Sequence, residues 1–474
     1  MSATEAQGPG AAPQIDPQVQ RGAMKAMPGL LAIFVFGILC LHSFNFVFTD
    51  IGQELGAPAR AALITSLPGV VLGVVSVIYG SLGDFVSLRR MMMVGIALIV
   101  VGSVLGLFST ASIWLVIIAR VIQTAGCQVA GSVFLVVATK YVPGPKKVVY
   151  FGIFTAAYQF STAIGLVAAG QLSKISWVWL FAIPLLSVFF IPSLYRHLPD
   201  VRGEGRRIDI AGFVLVSLAV GSLVMLLSEG TWAWALAFTV LSVAFVAYIH
   251  LVPHAFITPE FFRNRAYLVA VSLILIFYVA QYAMNPLFKE VGAQLYGYDA
   301  AAMVFVLIWA SLIGGIAGMM SGKIVGWIGR GPGIMLAASL MALSCLLAAF
   351  TLESGIWAVG LCAVLFFGGI SMLYSPVVDT VVGTVDVSES GRAVGLNDLA
   401  MNVSPSIGVA LVSSLMNGVV FGGVTLTGAT AGEAANYSVI FLLLGAVFIA
   451  GMVWFLAMKK NLYPDSWGRV SAQA

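Results

Sequence analysis

The chain alternates between long apolar runs and short polar breaks over most of its length. A helix needs about 20 apolar residues to cross the hydrocarbon core of a bilayer. Runs of that order lie near 28–49, 61–80, 91–109, 112–138, 149–170, 176–194, 210–228, 232–250, 267–288, 300–321, 333–351, 356–378, 393–421 and 437–458. They predict an all-α polytopic membrane protein with fourteen transmembrane helices. The first run is too long for a signal-peptide core. Residues 1–27 ahead of it are polar and rich in Ala, Gly, Pro and Gln, which predicts a disordered tail.

One polar break carries a pattern. It reads Gly80-Ser-Leu-Gly-Asp84-Phe-Val-Ser-Leu-Arg89-Arg90, and a weaker copy stands at Gly322-Lys-Ile-Val-Gly326-Trp-Ile-Gly-Arg330. Each follows one span and leads into the next, so the copies suggest two related halves. The first copy follows span 2 and the second follows span 10. Two halves of six spans would put the second copy after span 8, so a pair of spans is inserted between them, and 210–228 with 232–250 fits. The expected plan is a tail over 1–27, a six-helix bundle over 28–194, the inserted pair with its flanking loops over 195–266, a second bundle over 267–459 and a tail over 460–474.

Charge then sets the sidedness. Charged residues make up 9% of the chain and apolar ones 60%; a soluble domain carries about 25% charged residues. With the amino terminus inside, nineteen Lys and Arg fall on the inner side and only Arg60, Lys174 and Lys289 on the outer side. That bias predicts cytoplasmic termini and a plasma-membrane protein. The net charge of +4 reflects this distribution and does not point to nucleic acid. The four cysteines lie within apolar runs without metal-ligand spacing, so no metal or cofactor is expected. No Walker-type Gly-Lys-Ser or nucleophile–base set is visible, which argues against ATP-driven pumping and enzyme activity.

Polar residues inside spans are the candidate functional groups, because an ionisable side chain at membrane depth is costly and faces a partner or a wet cavity. Arg120 and His42 each lie about seven residues, roughly 10 Å, from the outer end of their spans, with Asn45 near His42. If spans 1 and 4 are neighbours, the three share a cavity; otherwise Arg120 ties helices together and His42 is neutral and hydrogen-bonded. Asp398 lies in span 13 and Asp379 at the inner end of span 12. Gln123, Gln128, Tyr158, Gln159, Tyr374 and Asn402 interrupt other spans. Tyr278, Gln281, Tyr282 and Asn285 recur at helical spacing and are expected on one face of span 9. Such a face suits an amphipathic organic molecule or bonds between helices. Gly314-Gly315-Ile-Ala-Gly318 reads as a helix-contact face.

At this point the chain resembles the major facilitator superfamily, and more narrowly its fourteen-span drug:proton antiporters, which include tetracycline exporters. Gly80, Asp84, Arg89 and Arg90 match the family's cytoplasmic loop motif, with Phe85 and Ser87 departing from it. Arg120-Val-Ile-Gln123-Thr-Ala-Gly126 resembles the family's span-4 motif, with Thr124 in place of a glycine. Ile208–Gly212 and Ile257–Asn264 resemble the start and end of the extra helix pair. Gly165-Leu-Val-Ala-Ala-Gly170 keeps the end glycines of the antiporter motif but loses its proline. Cys40 and His42 occupy the region of an acidic residue in span 1, and Thr162 that of an acid in span 5. The resemblance implies a gate latch at Gly80, Asp84, Arg89 and Arg90, mirrored at Gly322 and Arg330. Gly326 replaces the acid of the second copy, so that latch is expected to be one-sided. It also implies two six-helix bundles that rock in alternating access, with small-molecule substrate and protons as partners in a lipid bilayer. We expect a monomer that exports drugs or toxic metabolites, with His42 taking over part of the missing acid's work. The alternative is uptake or exchange of an organic anion such as a bile acid or aromatic acid, drawn by Arg120. A sensor or scaffold would have no use for a gate motif and polar span interiors.

Overall fold

The computed structural model describes residues 17–82, 86–142, 144–200, 209–252, 263–385 and 390–463, together with 255 and 259. The described residues are helical throughout, and thirteen helices are long and apolar enough to cross a membrane. The first bundle holds α1 (Pro17–Glu54), α2 (Leu63–Leu82), α3 (Leu88–Leu107), α4 (Ile113–Lys140) and α5 (Gly144–Leu172). Its sixth crossing is a 3-10 helix, Trp177–Phe190, running into α6 (Ile191–His197). The inserted pair is α7 (Ile210–Glu229) and α8 (Trp232–Leu251). The second bundle holds α9 (Arg265–Phe277), α10 (Met284–Tyr296), α11 (Ala300–Ile328), α12 (Arg330–Thr351), α13 (Ile356–Val382), α14 (Ser390–Asn417) and α15 (Glu433–Leu462). We call the end where α1 begins the near face and the opposite end the far face.

Two local differences from the sequence reading have physical causes. Helix α1 starts at Pro17, within the stretch assigned to a tail, because Ala23, Ala26 and Met27 are buried. Span 9 is broken: α9 ends at Phe277, α10 starts at Met284, and the two share the fourteenth crossing. Pro286 sits in the first turn of α10, where its missing N–H is tolerated. Its ring would clash with the carbonyl of Tyr282 in a continuous helix. The break therefore lies where Tyr278, Gln281 and Tyr282 stand, and the expected single helical face does not form. Helix α14 accommodates this irregular backbone at Gly408, because a Cβ there would strike the carbonyl oxygen of Val279.

Within the first bundle, α4 packs on α1, α2 and α3, and α5 on α1. A Cβ on Gly165 would come 2.7 Å from the Leu39 carbonyl oxygen, and the Ser43 hydroxyl donates to the Gly165 carbonyl at 2.7 Å. In the second bundle α13 packs on α11 and α12, and α15 on α9 and α12. The bundles meet along α2–α14, α5–α11 and α1–α10. The glycine face of α11 serves two contacts: Gly314 lies against Phe367 of α13, and Gly315 and Gly318 against Gln159 of α5. The inserted pair rides on this seam. Helix α7 touches both α2 and α14, while α8 packs on α7 and buries only Ile249. Asp209 starts the pair by accepting from the Gly212 N–H at 2.8 Å, and the Tyr248 hydroxyl of α8 also donates to it.

Candidate substrate cavity and gates

Four tyrosines and one carboxylate come together from both halves. Tyr158 stands on α5, Tyr278 and Tyr282 in the break, Tyr374 on α13 and Asp398 on α14. Tyr374 is within electrostatic reach of Asp398 and Tyr158, and Tyr278 of Tyr374 and Tyr158. Tyr282 reaches Tyr158 as well. The Tyr282 hydroxyl donates to Asn402 Oδ1 at 3.0 Å, and Asn402 Nδ2 donates to the Asp398 carbonyl at 2.8 Å. Tyr278 and Tyr282 are 4% and 3% exposed, whereas Tyr374 is 53% exposed and forms the open edge of the cluster. Gln159 Nε2 donates to Ser371 Oγ on α13 at 3.4 Å, joining the halves beside it.

His42 joins this group. Its ring meets Tyr158 edge-on with centroids 5.8 Å apart, and neither ring nitrogen has a hydrogen-bond partner among the described residues. Asn45 and Asn285 are buried, each with an unpartnered Oδ1. Gln281 is half-buried within the break.

Arg120 follows a different course from the shared cavity expected in the sequence. It is 2% exposed, and its Nη1 donates to Gln123 Oε1 at 2.6 Å and Cys40 Sγ at 3.3 Å. The guanidinium lies over the Phe44 ring, 4.4 Å from its centroid. Gln123 passes the chain on by donating to Ser103 Oγ at 2.8 Å. All these partners belong to the first bundle. The tyrosines interact with one another and with Asp398, while Arg120 interacts with Cys40 and Cys127. Arg120 therefore ties α1, α3 and α4 together.

The near face carries both motif copies. Gly80 lies in α2, and Asp84 lies outside the described residues. Arg89 donates to the Leu198 carbonyl at 3.0 Å through Nη2. Asp200 lies 3.7 Å from Arg89 and 3.8 Å from Arg90. Ser87, the departure from the family's glycine, caps α3 and also donates to Asp200. In the second copy Gly322 faces open space, and Arg330 pairs with Asp379 of α13 at 2.5 Å. The second tie is therefore not one-sided: a neighbouring helix supplies the acid that Gly326 lacks. Neither tie crosses between the halves: the first joins α3 to the segment after α6, the second α12 to α13.

The far face holds a cluster the sequence reading missed. Lys289 was counted there as an outer basic residue, yet it is 2% exposed in α10. Its ammonium donates to Asp50 Oδ1 and Thr49 Oγ1 of α1, both at 2.6 Å, and lies 3.1 Å from Glu290. This cluster joins the two halves. The usable signal was the run of α10 beyond the apolar stretch, which keeps Lys289 in a helix between Phe288 and Val291.

The two-bundle fold and its central polar cluster are those of a membrane transporter. The Major Facilitator Superfamily profile matches residues 29–409, and the chain belongs to that family. It is 28% identical over 258 residues to an MFS-type transporter named EfpA from Mycobacterium tuberculosis (strain H37Rv), covering 52% of this chain and 48% of that protein. It is 26% identical over 292 residues to multidrug resistance protein 3 of Bacillus subtilis (strain 168), covering 58% and 56%. The chain thus spans about half the length of these curated relatives. Among solved structures, the POT family transporter PepTSo superposes with a TM-score of 0.69 at 14% identity, over 93% of this chain and 99% of that one. A D-xylose–proton symporter superposes with a TM-score of 0.64 at 14% identity, over 94% and 97%. These likenesses are of fold. Family and neighbours alike are transporters rather than enzymes.

Proposed function

We propose that this chain is a proton-coupled exporter of amphipathic organic molecules, working by alternating access in the plasma membrane with both termini cytoplasmic. The near face is then cytoplasmic. The observation that carries this reading is the convergence of Tyr158, Tyr278, Tyr282, Tyr374 and Asp398 from both halves. A cluster built by groups from both bundles is remodelled when they rock, as alternating access requires. Aromatic faces accept apolar bodies and cations, and the one carboxylate in the cluster adds negative charge. His42 and Asp398 are the proton-handling candidates, because each can change charge beside the tyrosines. A single chain supplies both sides of the cluster, so a monomer suffices. The name of the Bacillus subtilis relative, multidrug resistance protein 3, agrees with export.

Organic-anion uptake or exchange is favoured by one observation: Arg120 has no carboxylate partner among the described residues. Its interactions within the first bundle weigh against that role. Flux in proteoliposomes, with a pH gradient imposed in each direction, tests the choice. Export predicts that a cationic amphipathic dye moves against the proton gradient and that a labelled aromatic carboxylate does not. Gradient-driven movement of the carboxylate alone would reject the proposal.

A further inference from the structure

One cavity lies apart from the tyrosine cluster. It has a volume of about 210 Å³ and is lined by Val70 and Val74 of α2, Val216 of α7, Val271 of α9, and Leu399 and Val403 of α14. The wall is hydrocarbon, and it draws on both bundles and the inserted pair. It is smaller than the about 300–1,000 Å³ of a drug-sized pocket. Asp398 and Asn402 of α14 belong to the central cluster, so α14 separates the two spaces.

Length and charge indicate what fills it. The groove runs along α9 to Leu275. From Arg265 to Leu275 an α-helix rises about 15 Å, half of the about 30 Å hydrocarbon core, or one leaflet. Its near-face end is formed by Tyr267 and Leu268, and Leu268 is 38% exposed. Arg265 lies one turn before Leu268 and so on the same side of α9. Arg263 lies just ahead of Asn264, the residue that caps the helix, and both arginines are exposed. Neither pairs with an acid among the described residues. An apolar slot one leaflet deep, opening beside two cations, matches a lipid tail below an anionic headgroup.

We propose that this groove holds one acyl chain of an anionic phospholipid, with its phosphate at Arg263 and Arg265. The lipid fills the seam where α7 bridges α2 and α14. The site stands whatever the substrate or direction of transport, because its occupancy is read without transport.

The test uses the full chain, purified in detergent and exchanged into nanodiscs of phosphatidylglycerol, phosphatidylcholine or an equal mixture. Native mass spectrometry of protein released from the mixture should show one retained phosphatidylglycerol. Arg265→Gln should lower the preference over phosphatidylcholine about fivefold, the effect of one basic residue near an anionic surface. Val271→Trp should abolish the retained lipid by filling the slot. If Val271→Trp does not fold, Arg265→Gln at its exposed position still decides the matter. Unchanged lipid retention and preference in Arg265→Gln, or a Val271→Trp protein that keeps the lipid, would overturn the proposal.

Discussion

Lys289→Met tests whether the far-face cluster holds the two halves together. Among the described residues Lys289 is the only cation of that cluster, and its loss leaves Asp50 and Glu290 facing each other without a counter-charge. Removing one partner of a buried ion pair costs about 3–5 kcal/mol. The Asp50 side chain is 44% exposed while that of Lys289 is 2% exposed. Water thus screens part of the loss, and the low end, about 3 kcal/mol, applies. A factor of ten corresponds to about 1.4 kcal/mol, so the far face should open on the order of 100-fold more readily. The readout is a cysteine at Asn45, which is buried one helical turn inside Thr49. The four native cysteines are buried and give little background. A membrane-impermeant maleimide added from the far side should modify Asn45→Cys on the order of 100-fold faster when Lys289→Met is also present. Asp50→Asn, removing only the more exposed partner, should raise the rate less, about fivefold for about 1 kcal/mol. Thermal unfolding midpoints of the variants separate opening from general loss of structure. Equal labelling rates in folded protein with and without Lys289 would refute the argument.

Three further outcomes follow from single contacts. Asp398→Asn should reduce the pH-gradient dependence of flux in proteoliposomes at least tenfold while leaving substrate binding measurable, because it removes the carboxylate of the tyrosine cluster and keeps its shape. Arg120→Lys should lower stability by about 1–3 kcal/mol, because an ammonium does not reproduce a planar guanidinium bonded to Gln123 and Cys40 over Phe44; a shift in thermal midpoint checks this. Gly408→Ala should cost about 1–3 kcal/mol or more, since its methyl group meets the backbone carbonyl of Val279 rather than a movable side chain; the yield of folded protein and its thermal midpoint measure it.

The crossings were legible because lipid leaves the chain little choice: backbone groups must be bonded internally over a fixed thickness. That forces long apolar runs which can be counted directly, and the spacing of the two motif copies then located the inserted pair. The central cluster was only partly legible. Tyr158, Tyr374, Asp398 and Asn402 were recognisable as polar interruptions of apolar spans. Tyr278 and Tyr282 were assigned to it through a helical periodicity that Pro286 cancels, and the break brings them there instead. The direction of Arg120 was not legible, since spacing along α4 does not say whether a long side chain turns toward Phe44 or toward the tyrosines. Lys289 was hidden by the charge count itself, which weighs a buried lysine and a solvated one alike.

The placement of the ionic ties bears on how the halves can move. Arg89–Asp200 and Arg330–Asp379 at the near face each stay within one bundle. Partly exposed pairs of this kind contribute about 0–1 kcal/mol apiece. They stiffen each bundle and offer little resistance to separation of the two. The tie between the halves through a buried charge is at the far face, where Lys289 of α10 reaches Asp50 of α1. Along the rest of the seam, α2 meets α14 through close contacts such as Gly73 against Leu399 and Asn402. Small residues allow sliding where a buried ion pair does not, because packing contacts are non-directional while the ammonium must keep its oxygens. On the alternating-access proposal the buried tie pins the halves at the far end and the near end is the one that spreads, where Tyr374 lies two turns from the end of α13 with half its surface open. On the same proposal, reversing that arrangement requires Lys289 to leave Asp50, and the break between α9 and α10 offers a joint at which α10 can turn.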